Sequence, residues 1–458
     1  MDSEYKDTMR NLAMGEEVPR DRRDDLLDYC QQDVEVLAAV WDLFGSQVDI
    51  KFASLRGRYL KSLAQVEHSG IPADISLVER LRTHHEEIKN AAWTEARHRY
   101  PGAITESGTF SSIGWCEWCA TNGILWPLLP TGAPALDEDS FKKMADRYAA
   151  VRTMAYARKM RGQTRGFAFP VGGDGRLRCM LSPFGSDTGR NQPSNSNFIF
   201  GASAWLRSIV QAPPGRVLAY IDYSSQEFAL AAALSDDEAM MADYRSGDPY
   251  LAFARRAGAV PEEATKASHP SERAIYKVAS LAIQYGMRET NLSLRNGMSL
   301  PAARRLINQH EESYPIYWKW RQMVADNVLC GGSYSTCYGW RRMARFHDTA
   351  TSITNFPTQA TGAEILRIAV ISLTEAGHRV IAPVHDAVLI EMDEQGWREE
   401  LLAIQSRMVK AAAMVAPQIE MRTDVELILP GQHFVDGRGA EMWELIAPIV
   451  GLNPKVKI

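Results

Sequence analysis

The sequence predicts a mixed α/β (α+β) chain in which a few strands flank a long helical insertion, with more helix ahead of them. Three stretches carry that expectation. "GRVLAYID" is a nearly continuous apolar run bounded by Pro-Pro-Gly, the pattern of a buried strand, and it ends at Asp222. "RVIAPVHDAVLIEM" (379–392) reads as two short strands meeting at His385-Asp386. Between them, residues 225–330 carry mostly helical spacing.

The other elements follow in order. Residues 22–44 place apolar side chains at helical intervals. Residues 51–98 do the same, interrupted at "HSGIPAD" by Gly70 and Pro72. Residues 99–135 are rich in Gly, Pro, Ser and Trp and predict loops with short helices; helical sequence resumes at 136–160. "GFAFPVGGDGRLRCML" (166–181) predicts a hairpin turning at Gly172–Gly175, and "GAEILRIAVISLTEAG" (362–377) a strong amphipathic helix.

Composition narrows the function classes. With 458 residues, 45% hydrophobic and 23% charged, the chain is large enough for several domains and a sizeable core. No apolar run reaches the length of a membrane span, and the polar, acidic N-terminus is unlike a secretory signal, so the expected location is the cytoplasm, without a membrane partner. Six cysteines form no framework; Cys116 and Cys119 read as two reduced thiols on a helix face, or as half of a metal or redox site. The net charge of −5 is uneven: residues 1–50 hold 13 acidic against 5 basic residues, whereas residues 266–345 hold 12 basic against 5 acidic. Such a basic segment suits a phosphate-bearing partner or, equally, a solvated helical surface.

Within that basic segment, "RAIYKVASLAIQYG" sets Arg273, Lys277, Leu281 and Tyr285 four residues apart, followed by Gly286. Four-residue steps drift only about 40° around a helix, so both cations can reach one anion. Lys277 would serve as a point charge and Arg273 as a planar fork, Leu281 and Tyr285 would extend the stripe, and Gly286 would admit a partner close to the backbone. A salt-bridged surface helix has the same pattern. Asp222 at a strand end and Asp386 at a hairpin tip would repel on one sheet unless a divalent cation lay between them; each alone also reads as a turn residue.

These pieces together resemble the family A DNA polymerases. R273-xxx-K277-xxxxxxx-Y285-G286 is similar to the family's motif B, "DYSSQE" (222–227) to motif A, and "VHDA" (384–387) to motif C. "DTGR" (187–190) and "NFPTQATGAEI" (355–365) resemble the segments that precede motifs A and C. The resemblance covers roughly residues 55–458 and implies a right hand with an antiparallel palm sheet and helical fingers and thumb. It would divide the chain into an exonuclease-like remnant (1–50), thumb and palm entry (51–165), palm (166–235), fingers (236–350) and palm again (351–458).

The same resemblance implies template-directed DNA synthesis with primer–template DNA and dNTPs as partners. Asp222, Asp386 and the backbone of Tyr223 would hold two Mg²⁺ (or Mn²⁺) ions. Arg273 and Lys277 would bind the triphosphate, with Lys277 also protonating the leaving group, and Leu281 and Tyr285 would complete the nucleotide face. Glu227 would exclude a 2′-hydroxyl. Arg190 and Gln359 would read minor-groove acceptors, and Asn355 and His385 would neighbour the primer. Four positions depart from the pattern: Leu281 stands for an aromatic, Ala387 for an acid, Tyr250 for a phosphate-binding histidine and Thr351 for an arginine.

At the N-terminus, Tyr29 and Asp33 resemble the third motif of the associated 3′–5′ exonuclease, whose earlier carboxylates would lie upstream of Met1. No independent proofreading is therefore expected. The two residues are either relics or half of a site completed by another polypeptide, so the further partners would be a separate exonuclease chain or a processivity factor. The rival function is an inactive primer–template binding module.

Overall fold

In the computed structural model, residues 8, 9, 18–129, 131–162, 169, 171–194, 197–296 and 298–452 are described. They fall into two units, Met1–Arg58 and Tyr59–Ile458. The first unit contains α1 (Arg23–Phe44) and the start of α2 (Ile50–Ser69). α1 has no buried residue; Leu27, Val34, Leu37, Trp41 and Phe44 are all more than half exposed.

In the second unit, β1 (Ile71–Pro72) leads through α3 (Ile75–Thr83), α4 (His85–Arg99), α5 (Ser112–Thr121), α6 (Glu138–Arg147) and α7 (Arg152–Gly162) to β2 (Arg176–Leu177). The break at Gly70 and Pro72 falls where the sequence places it. Asp74 then caps α3 by accepting the amide of Leu77 at 2.9 Å. Of the hairpin expected over 166–181, the described residues are 169 and 171–181, and they contain the turn. The turn closes with Gly172 N–H donating to Arg176 O at 2.8 Å; β2 pairs with β1, and among the described residues before the turn Val171 bridges to Leu177. Residues 163–168 and 170 lie outside the described set. Cys116 and Cys119 are free thiols on α5, and burial pushes the Cys119 thiol up to about 12.

The central sheet is β3 (Arg216–Tyr223), β6 (Arg379–Val384), β7 (Ala387–Asp393) and β8 (Thr423–Ile428), in the order β6-β7-β3-β8 and antiparallel throughout. Between β3 and β6 run α8 (Gln226–Ser235), α9 (Glu238–Arg245), α10 (Pro249–Arg256), α11 (Pro270–Gln284), α12 (Glu289–Asn296), α13 (Leu300–Ser313) and α14 (Pro315–Leu329). A small hairpin follows, β4 (Ser333–Ser335) with β5 (Arg341–Met343), and then α15 (Ala350–Glu375). After β7 come α16 (Trp397–Val415), β8 and α17 (Ala440–Ile446). No described helix is long and apolar enough to cross a membrane.

Side chains alternate along β3. Val217, Ala219, Ile221 and Tyr223 share one face; the Tyr223 hydroxyl donates to Met408 O on α16 at 2.7 Å, so that face is covered. Leu218, Tyr220 and Asp222 share the other.

The helix predicted over 362–377 is longer and differently built. α15 begins at Ala350, where Thr349 accepts the amide of Ser352 at 3.1 Å, and it runs through Pro357 and Gly362, which read locally as breakers. It is not amphipathic. From Phe356 to Ile371 almost every residue is buried, because α8, α14, α16 and β6 all pack against it. Its buried charges answer one another: Arg367 donates to Glu364 and, at 3.0 Å, to Gly189 O, while Thr336 donates to Glu364 at 3.0 Å. Replacing Arg367 with Met leaves Glu364, 1% exposed, without its counter-charge. A loss of about 3–5 kcal/mol is expected in urea unfolding, and Glu364→Gln on the same background should restore a large part of it.

Candidate active site

β-Sheet register brings the two predicted aspartates together. Asp222 on β3 lies opposite Ala387 on β7, and the turn joining β6 to β7 is the two residues His385 and Asp386. His385 takes φ 58°, a left-handed conformation that tight hairpins need and non-glycine residues rarely adopt. Ser225, three residues after Asp222, has φ 52° as it turns the chain into α8. Unusual backbone thus stands on both sides of the carboxylate pair, a common mark of functional sites.

Electrostatics agree with the geometry. Desolvation raises Asp386 from 3.8 to about 6, helped by the charges of Asp222 and Glu227 and opposed by its own backbone hydrogen bond and Arg190. Asp222 is also raised, first by desolvation and then by Asp424, with Lys277 opposing. Asp424 was not singled out from the sequence. It sits on β8 directly across from Asp222, and the acids alternating in "TDVELI" were the available signal. Desolvation, then Arg190, Arg207 and Arg438, lower the His385 imidazole.

The α11 stripe is present but engaged. The helix ends at Gln284, so Tyr285 caps it rather than continuing it. Arg273 is not a free phosphate ligand: its guanidinium donates to Asp248, which also accepts the amides of Tyr250 and Leu251 at 3.2 Å as the cap of α10. Lys277 is exposed and acts electrostatically on Asp222, while Leu281 is half-buried. Gly286, at φ 82°, admits a close neighbour as expected, but the neighbours are internal: a Cβ there would lie 2.8 Å from Arg321 Nη2 and from Thr351 Cγ2.

A second cluster joins the other predicted residues. Tyr285 Oη donates to Glu227, and Arg190 Nη2 lies 3.8 Å from the same carboxylate. Asn355 Nδ2 donates to Tyr285 O at 3.3 Å, and Gln359 hydrogen-bonds the Tyr285 side chain. The loop carrying Arg190 is braced from below. Asp187 accepts from Arg342 at 2.8 Å and Arg345 at 2.9 Å, and Trp340 donates to Asp187 O at 2.8 Å. A cavity of about 220 Å³ opens beside Arg190 and His385, floored by Tyr59, Phe200 and Leu366.

Tyr223, last in β3, has a buried side chain, so only its backbone can serve a ligand in the cleft. Among the described residues no cluster of three or more His, Cys, Asp or Glu is arranged to hold a metal ion. The donor set available is the Asp222–Asp386 pair. Two hard oxygen donors, both held above their ordinary range, fit a divalent cation such as Mg²⁺. In the first unit, Tyr29 is half-buried and Asp33 exposed, both on α1.

Residues 173–428, more than half of the chain, match DNA polymerase family A, and the chain belongs to that family. Among relatives, it is 26% identical over 262 residues to a thermostable DNA polymerase I of Thermus caldophilus, covering 53% of this chain and 31% of that protein. It is 29% identical over 195 residues to the DNA polymerase of Mycobacterium phage D29, covering 42% of this chain and 31% of that one. The chain thus spans about a third of the length of these curated relatives. The solved POL domain of Pol1 from M. smegmatis, in complex with DNA primer-template and dNTP, shares the fold with a TM-score of 0.64 at 21% identity, over 82% of this chain and 70% of that one.

The raised Asp386 sets a stability signature. The folded state holds this proton more tightly than the unfolded chain, so the group's contribution falls as pH rises from about 4 to about 6 and is flat above. In EDTA, Asp386→Asn should therefore be more stable than the parent at pH 7.5, by on the order of 2–3 kcal/mol, and equal to it at pH 4. Thermal melts at the two pH values read the difference.

Proposed function

We propose that this chain is a DNA-dependent DNA polymerase that extends a primer 3′-hydroxyl with dNTPs. The observation that carries the reading is the carboxylate pair built by the β3–β7 register, standing beside a cationic helix in a family A fold. The central sheet would be the palm, α9–α14 the fingers, and α2–α7 the thumb and palm entry. The protein would work in the cytoplasm of a bacterial or phage-infected cell.

Asp222, Asp386 and the Tyr223 backbone would hold Mg²⁺ or Mn²⁺. Bound there, the metal supplies Lewis acidity toward the attacking hydroxyl and the departing pyrophosphate. The chain's own residues do the rest. Lys277, already within electrostatic reach of Asp222, places a cation where the triphosphate meets the carboxylates and can give its proton to the leaving oxygen. Arg273 turns from Asp248 to the phosphates, exchanging one anion for another. Glu227, bridged to Tyr285 and Arg190, walls the sugar pocket with a carboxylate that would meet a 2′-hydroxyl. Arg190 and Gln359 stand on the primer side, where donors can test the shared minor-groove acceptors of correct pairs; Asn355 and His385 border the same path.

The test is extension of a labelled primer on a DNA template with Mg²⁺, with and without dNTPs. Template-directed growth is expected, with no shortening in the dNTP-free lane; shortening there would instead make the α1 residues Tyr29 and Asp33 part of a working nuclease. Asp386→Ala should abolish growth while leaving primer–template affinity within about threefold, since phosphate contacts dominate that affinity. A variant that still extends would remove the metal assignment. Glu227→Ala should raise ribonucleotide incorporation by at least about tenfold relative to dNTPs, as the loss of a steric and electrostatic barrier worth more than about 1.4 kcal/mol predicts.

A further inference from the structure

The two cations of α11 share one aromatic platform. Arg273 Cζ and Lys277 Nζ each lie 5.8 Å from the centre of the Tyr250 ring, within the range over which a ring face attracts a cation. Tyr250 is 2% exposed, with Phe228 edge-on against it at 6.3 Å. Its hydroxyl hydrogen-bonds Ser225, the left-handed residue between Asp222 and Glu227. Its backbone amide is held by Asp248, the same carboxylate that receives Arg273. One buried side chain therefore connects the turn after the carboxylate strand, the start of α10 and both cations of α11.

That placement excludes a direct role. A side chain with almost no exposed surface and its hydroxyl committed to Ser225 is not available to donate to a triphosphate. What it offers is a negative ring face that favours both cations and limits their rotamers before any ligand arrives, which reduces the ordering cost of binding.

We infer that Tyr250 is a positioning residue whose ring pre-sets Arg273 and Lys277 for an oligophosphate, and that this platform sets the triphosphate affinity of α11. The inference rests on the reading of α11 as the triphosphate site. It assigns the ring and the hydroxyl different jobs: the ring acts on phosphate affinity, and the hydroxyl on the Asp222–Glu227 turn.

The test compares Tyr250→Phe with trifluorophenylalanine at the same position. The two side chains have closely similar shape, but fluorination withdraws electron density from the ring face, so packing is held while the attraction for cations is reduced. Inorganic tripolyphosphate is titrated by calorimetry, and the dNTP KM is measured on primer–template. Tyr250→Phe should bind tripolyphosphate within about twofold of the parent, and trifluorophenylalanine about three- to tenfold more weakly than Phe. The dNTP KM should rise in parallel, with kcat and the melting temperature equal between the two variants.

Equal tripolyphosphate affinity for Phe and trifluorophenylalanine overturns the inference, as does a fall in kcat or stability on fluorination with phosphate affinity unchanged. A parent protein that binds no tripolyphosphate, but extends primers, removes the assignment of α11 to phosphates and the Tyr250 role with it. Binding that is insensitive to fluorination leaves α11 as a phosphate site and removes only the role of Tyr250.

Discussion

The pairing of β3 with β7 is the constraint on which the rest of the site depends. Because Asp222 lies opposite Ala387, the residue before Ala387 must turn at the sheet's edge, and that residue is Asp386. A slip of one residue would send Asp222 to the face covered by α16 and place a charge where Tyr223 now reaches Met408. The register is secured by burial: nearly every residue of β6 and β7 is inside. Core packing thus holds two carboxylates together; burial raises the proton affinity of both, and the charge of Asp222 adds to the rise at Asp386.

The cations are arranged to answer that concentration of negative charge, and each is already in company. Arg273 rests on Asp248, Arg190 near Glu227, Lys277 beside Asp222. On the proposed function, these opposite-charge contacts would let an incoming polyanion exchange partners with side chains that are already engaged. The loop carrying Arg190 is fixed more rigidly. The buried Arg367 donates to its backbone at Gly189, and a Cβ on Gly189 would meet the Trp340 ring at 2.9 Å.

The sequence made much of this legible. The apolar runs at 216–222 and 379–392 were sufficient for β3, β6 and β7, because short β-branched stretches between turn signals have few other uses. The spacing of Arg273, Lys277 and Tyr285 located α11, and the matched motifs joined strands that are 164 residues apart. What could not be read was tertiary. α15 looked amphipathic because its C-terminal half has helical spacing, but burial on every side overrides periodicity. β2 pairs with β1, which lies far earlier in the chain. Asp424 came beside Asp222, and Tyr250 beside Arg273, only through the pairing of β8 with β3 and the packing of α10 on α11. The engagement of Arg273 by Asp248 was likewise invisible, since 25 residues separate them in the chain.

Sheet register sets Asp222 and Asp386 side by side as donors for a divalent cation. Titration of Mn²⁺ into the protein, followed by the electron paramagnetic resonance signal of free Mn²⁺, tests this most directly, because it needs neither DNA nor turnover. Saturable binding is expected in the parent, weakened strongly and to a similar degree by Asp222→Asn or Asp386→Asn alone, with no further large loss in the double variant. Parental affinity retained in either single variant would mean that the two carboxylates do not share a cation.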